Sequence, residues 1–178
     1  MASALVVIDM LNSYDHPDAE PLAESAKEVV PVVADLIKRA NDEGVHVIYV
    51  NDNYGDWNSS ADELVEAALK GEHPELIEPI KPPEEVSFVI KARHTIFYGT
   101  PFEHLLKSEG IDRLVMTGQV TEQCILYSAL DAHVRDIEVV VPRDAVAHID
   151  ADLAEAALKM METNMSADIS PSSEIELS

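Results

Sequence analysis

One cysteine, one tryptophan, six glycines and twelve basic residues are what this 178-residue chain has least of. A single thiol cannot close an internal disulfide, so the fold has to rest on its own core. Twelve Lys and Arg against 34 Asp and Glu leave a formal charge of −22, which argues against nucleic acid and anionic membranes as partners. The first apolar run, Leu5-Val6-Val7-Ile8, stops at Asp9. That is too short for a signal peptide or a membrane span, and a cytoplasmic location is expected. No internal repeat or low-complexity block is evident. A chain of this length buries about 70% of its unfolded surface as one domain. We place that domain at 1–169, with 170–178 as a polar C-terminal tail.

What the sequence does contain alternates between two periods. Ala4 to Asp9 is apolar up to its terminal carboxylate, and Val45 to Val50 persists in apolar character, as buried parallel strands do. Val86 to Ile90, Arg113 to Thr117 and Ile137 to Val141 repeat the pattern, and Met165 to Ile169 offers a last short strand. Between them, Leu22 to Glu43 has apolar positions at helical spacing before Gly44, with Pro31 as a kink or an effective start. Ser59 to Lys70 is a second helix, with Ser60 as its cap. A third opens at Thr100-Pro101, where proline suits the first helical position. Others run through Ile125 to Arg135, behind the cysteine, and from Asp152 to Thr163. Strands alternating with helices specify an α/β fold: a doubly wound, mostly parallel sheet of five to six strands with helices on both faces.

The cysteine lies where such a fold does its chemistry. Thr117-Gly118-Gln119-Val120-Thr121-Glu122-Gln123-Cys124 runs from the end of an apolar strand into a helix. Thr121 is the N-cap candidate, which puts Cys124 in the first helical turn, where unpaired N–H groups and the helix dipole favour a thiolate. Set against this, a lone cysteine is often only a small buried hydrophobe, so its partners decide. Asp9 and Lys91 also stand at strand ends, and a parallel sheet brings those ends to one rim. A thiol needs a base to take its proton and a cation to hold it ionised, roles that Asp9 and Lys91 can fill. No histidine occupies a strand end, which leaves the Cys/His arrangement as the weaker fit.

Val6-Val7-Ile8-Asp9-Met10, Lys91, Thr117-Gly118 with Thr121-x-x-Cys124, Ser128-Ala129-Leu130-Asp131-Ala132 and Asp144-Ala145-Val146-Ala147 occur in one order over nearly the whole chain. In these motifs the chain resembles the isochorismatase-like cysteine hydrolases, which include nicotinamidases and carbamoylsarcosine amidohydrolases. The resemblance implies a catalytic triad of Asp9, Lys91 and Cys124, and a cis peptide bond between Gln119 and Val120. It also implies an oxyanion hole made by the backbone N–H groups of Val120 and Cys124. The reaction implied is hydrolysis of a C–N bond in a small-molecule substrate through a thioester, with no cofactor. Relatives usually form dimers or tetramers, so a homo-oligomer is the expectation.

Departures from the family pattern count as well. Metal-binding members carry Asp-x-His after the second strand, and here Asp52 is followed by Asn53 and Tyr54. Asp52, Asp56 and His94 are the remaining candidate ligands, and no metal site is expected. True isochorismatases lack the nucleophilic cysteine, so Cys124 argues against that reaction. Tyr14, Asp52, Trp57, His94 and Phe97, on loops 10–20, 52–60 and 92–100, are the candidate substrate-pocket residues. Trp57 and Phe97 could equally pack a loop or a subunit interface. His46, His104, His133 and His148 read as structural or solvated. Two alternatives remain beside the amidase: an ester hydrolase, and a non-catalytic small-molecule-binding homologue. The acidity reads most simply as a solvated surface, with at most a bias towards neutral or cationic ligands.

Overall fold

The computed structural model describes residues 2–178. Five strands hydrogen-bond side by side: β1 (Ala2–Ile8), β2 (His46–Asp52), β3 (Ser87–Lys91), β4 (Ile111–Gln119) and β5 (Glu138–Val140). Their order is β3-β2-β1-β4-β5, and a two-residue strand, β6 (Val146–Ala147), pairs with the end of β4. Every pairing is parallel. The chain winds outward from β1 through β2 and β3, then crosses to β4 and β5 on the other side. The switch point therefore lies between β1 and β4, where open α/β sheets bind their ligands.

Alternation along β1 divides the core in two. Leu5 and Val7 face a layer built from α1 (Ala19–Glu43) and α2 (Ala61–Leu69). Ala4, Val6 and Ile8 face α3 (Phe102–Glu109), α4 (Leu126–His133) and α5 (Ala151–Met165). A strand buried on both faces has to be apolar at every position, and residues 4–8 are all at most 1% exposed.

Local chemistry accounts for most helix ends. Ser60 and Glu63 form a reciprocal capping box on α2, and Gly44 and Gly110 end α1 and α3 in the left-handed conformation. Pro31 lies inside α1 and does not start it, since the helix begins at Ala19. Pro101 occupies the N-cap position of α3 rather than its first turn.

Three readings of the sequence are corrected. The strand expected over 165–169 reduces to an isolated bridge between Val140 and Asp168, because α5 runs on to Met165. The sixth strand is instead Val146–Ala147, too short to show as a pattern. Residues 170–178 are not a free tail. Ile175 and Leu177 are buried in the α1 layer, Asp144 accepts from the Ser172 amide and hydroxyl, and Arg39 donates to the Ser172 and Ile175 carbonyls.

Candidate active site

β1 ends in a residue that the backbone bends sharply. Asp9 has φ 53° and is 7% exposed, and its N–H still donates to the Val50 carbonyl, which ties it to the end of β2. Its carboxylate Oδ1 accepts from the Asp52 N–H at 2.8 Å. Its Oδ2 lies 2.8 Å from Lys91 Nζ. Lys91, the last residue of β3, has a side chain with no exposed surface. Its ammonium also reaches Asp52 Oδ2 at 3.3 Å and Cys124 Sγ at 3.8 Å. Three N–H donors thus meet three acceptors, as a buried ammonium requires.

Cys124 arrives from the other side of the switch point. β4 ends at Gln119, the Gln119–Val120 peptide bond is cis, and Thr121–Ile125 forms one π-helical turn leading into α4. The N-cap of that turn is Val120, not Thr121. The Val120 carbonyl accepts from the N–H groups of Gln123 and Ile125, while the Thr121 hydroxyl is committed to the Ala147 carbonyl at 2.8 Å. Gln119 locks the two strand ends together, donating to the Asp9 carbonyl at 2.9 Å and accepting from the Tyr14 hydroxyl at 3.4 Å. Glu122 fixes the far wall, because its Oε1 accepts from the N–H groups of both Ile149 and Asp150.

The electrostatics differ from a thiolate poised by a helix dipole. Burial, reinforced by Asp9, pushes the Cys124 thiol up to about 12, and Lys91 and the Val120 N–H offset only part of this. Burial likewise raises Asp9 above its ordinary value against the pull of Lys91 and the thiol. Burial acts to lower Lys91, but Asp9, Cys124 and Asp52 outweigh it and hold the ammonium charged. At rest the Cys124 thiol therefore keeps its proton, with burial and the Asp9 carboxylate both opposing its ionisation.

A cleft of about 360 Å³ opens onto this group. Of the five pocket candidates, Asp52 and His94 line it, and the His94 ring packs edge-on against Tyr127 with centroids 5.5 Å apart. The other three lie elsewhere. Tyr14 is buried beneath the site on Gln119, Phe97 packs in the core against Phe102 under Arg135, and Trp57 is 81% exposed and away from the cleft. Sequence reasoning put loops 10–20 and 52–60 at the pocket without singling out Asn12, His16, Asp18 and Tyr54, and it missed Gln123 and Ile149 on the opposite wall. Polar residues directly after a strand end were the available signal for Asn12 and Tyr54.

The family's metal does not fit these residues. The oxygens of Asp52 are taken by Lys91 and by the Tyr54 N–H, and Tyr54 turns its hydroxyl to the Leu11 carbonyl at 2.8 Å. Asp56 accepts from the Asn58 N–H. Among the described residues no group of three His, Cys, Asp or Glu side chains is arranged to hold an ion.

Fold and site together define a doubly wound α/β protein with a cysteine, a carboxylate and a lysine joined at its switch point. The chain belongs to the isochorismatase family of hydrolases, whose domain model matches residues 3–173. It is 30% identical to the uncharacterized isochorismatase family protein YaaI of Bacillus subtilis, over 97% of this chain and 95% of that one. It is 28% identical to the maleamate amidohydrolase of Pseudomonas putida, over 87% of this chain and 76% of that one. Among solved structures it is similar to N-carbamoylsarcosine amidase from Thermoplasma acidophilum, with 29% identity, 99% of both chains covered and a TM-score of 0.77.

Proposed function

We propose that this hydrolase cleaves an amide, carbamoyl or lactam C–N bond of a small molecule, with Cys124 as the nucleophile. The observation that carries the reading is one buried ammonium, Lys91 Nζ, lying 2.8 Å from Asp9 and 3.8 Å from the Cys124 sulfur, beneath an open cleft that Asp9 and Cys124 line. Two relatives are named for amide or carbamoyl hydrolysis, which supports the same bond class.

Asp9 takes the thiol proton as Cys124 Sγ attacks the substrate carbonyl carbon. Because the free thiol is weakly acidic, attack and proton transfer are coupled and no thiolate has to accumulate. The carbonyl π electrons move to oxygen, and the Val120 and Cys124 N–H groups receive the oxyanion. The Val120 backbone favours negative charge on the sulfur, which supports placing a donor there. The tetrahedral intermediate collapses, the C–N bond breaks, and the nitrogen leaves with the proton held by Asp9. Water then gives a proton to Asp9 and attacks the thioester, and the sulfur departs and recovers that proton. Lys91 stays charged throughout and fixes the positions of Asp9 and Cys124. None of these steps uses a metal or an organic cofactor.

The test is ammonia or amine release from a panel of small amides, ureas and lactams, by the native enzyme and by Cys124→Ala. Release by the native enzyme alone is the expected result. Cleavage of esters with no nitrogen released from any amide would replace this reading with the ester one, and release that survives Cys124→Ala would remove the thiol from the mechanism.

A further inference from the structure

The cleft contains three carboxylates, and no lysine or arginine among the described residues is free to meet a ligand there. Asp9 and Asp52 form part of its floor, and Asp18 stands at its mouth where α1 begins. The one ammonium at the site, Lys91, is wholly buried and already shared by Asp9 and Asp52. It cannot turn towards a ligand without leaving two buried carboxylates uncompensated. No arginine lines the cleft, and its other polar groups are amides, imidazoles and the Tyr54 ring. Among the described residues Asp18 has no ion-pair partner, and it makes no side-chain cap to α1. Three negative groups against one committed positive group leave an uncompensated negative field across the bound ligand.

We infer that the site selects small amides carrying an ammonium group or no charge, and rejects those carrying a carboxylate. This rests on the cleft being the substrate site proposed above. Field lines concentrate in a low-dielectric cleft, so a carboxylate entering it is repelled where an ammonium is drawn in. Maleamate and N-carbamoylsarcosine, the compounds named for two relatives, both carry a carboxylate. Among the described residues no lysine or arginine lines this cleft to receive one.

Cys124 is the only cysteine, so it reports on the cleft without a known substrate. The folded native protein is treated at 0.15 M ionic strength with three methanethiosulfonates of similar size, bearing trimethylammonium, hydroxyl or sulfonate. In each, the sulfur of Cys124 forms a disulfide and methanesulfinate leaves, and mass spectrometry gives the rate. Taken relative to 2-mercaptoethanol, the cation-to-anion rate ratio is expected to rise at least about tenfold. Asp18→Asn, which keeps an N-cap residue, is expected to reduce that ratio at least threefold. Glu155→Gln, an exposed charge change on α5 away from the cleft, is expected to leave it unchanged. A native ratio within twofold of the free thiol overturns the inference, as does an equal loss in both variants, which would assign the preference to the charge of the whole surface.

A matched amide series separates this inference from the reaction itself. Ammonia release should rank 4-aminobutyramide above butyramide, and butyramide above succinamate. Succinamate cleaved as fast as 4-aminobutyramide overturns the charge preference while amide hydrolysis stands. A charge-ranked labelling rate with no amide cleaved leaves the preference standing and removes the amidase reading. No labelling by any of the three reagents in the native protein or in Asp9→Asn, whose thiol ionises more readily, closes the cleft to ligands and overturns both.

Discussion

Gly118 packs so closely on Ile8 that a Cβ built on it would lie 2.1 Å from the Ile8 carbonyl oxygen. The two residues are register partners at the ends of β4 and β1, and the next residues along are Gln119 and Asp9. Gly118 also has φ +112°, which side-chain-bearing residues rarely adopt. A methyl group here pushes against backbone that no rotamer change can relieve. Gly118→Ala is expected to cost about 2–4 kcal/mol in a denaturant titration. It is also expected to lower turnover in whatever protein remains folded, because it separates Asp9 from the β4 end that leads to Cys124.

Reactivity of the sole thiol should move in opposite directions in two variants that both lose turnover. With its thiol pushed up to about 12, native Cys124 should react with iodoacetamide more slowly than a free thiol at pH 8, and its rate should still climb beyond pH 9. Asp9→Asn removes a charge that opposes the thiolate, so alkylation at pH 9 should quicken about tenfold. Lys91→Met removes the cation that favours it, so alkylation should slow. Both changes should reduce turnover at least about 100-fold, since each removes a group that moves or positions the proton.

The same shift bears on stability. The folded thiol holds its proton more tightly than its ordinary value of 9.0, so this contribution is complete below pH 9 and is lost as pH rises towards 12. Cys124→Ala should therefore flatten the alkaline limb of a stability-versus-pH curve measured by denaturant midpoints.

Glu122 acts on the site through the wall it supports. Glu122→Ala leaves the Ile149 and Asp150 N–H groups without their acceptor, a loss of about 1–3 kcal/mol, and frees Ile149 to move in the cleft. The expected result is a raised KM with a smaller change in kcat. Glu122→Gln retains an oxygen for both N–H groups and should recover most of the native KM, which a merely destabilising change would not explain.

Chelation should leave turnover within twofold. The carboxylate of Asp52 is held by Lys91 and the Tyr54 N–H, so an ion would have to displace a buried ion pair. Ammonia release before and after dialysis against EDTA, with the metal content measured alongside, decides the point. A loss restored by added zinc would show that the cleft rearranges to take one.

The strand ends were legible because a parallel sheet makes them so. Each central strand is apolar throughout, and the first charged or reactive residue after it falls on the sheet's carboxyl rim, as Asp9 and Lys91 do. The π-turn was not legible. Thr121 has the chemistry of an N-cap, but the Ala147 carbonyl, brought in by the unforeseen strand β6, takes its hydroxyl. Trp57 and Phe97 show the limit of reading aromatics from loops, since one faces solvent and the other the core. Ile175 and Leu177 were hidden among polar residues, and only the groove beside α1 gives their alternation a partner.

By itself, then, the sequence determined the alternation of strands and helices, the buried strands and the three strand-end groups, because apolar periodicity and chain polarity are local properties. Tertiary structure alone decided which way burial and neighbouring charges push those groups, and the character of the cleft. The acidity of Cys124 depends on how completely it is buried and on its approach to Asp9 and Lys91. The negative cleft depends on Lys91 being shared between Asp9 and Asp52, two residues separated by more than forty positions in sequence and brought to one ammonium by the pairing of β1, β2 and β3.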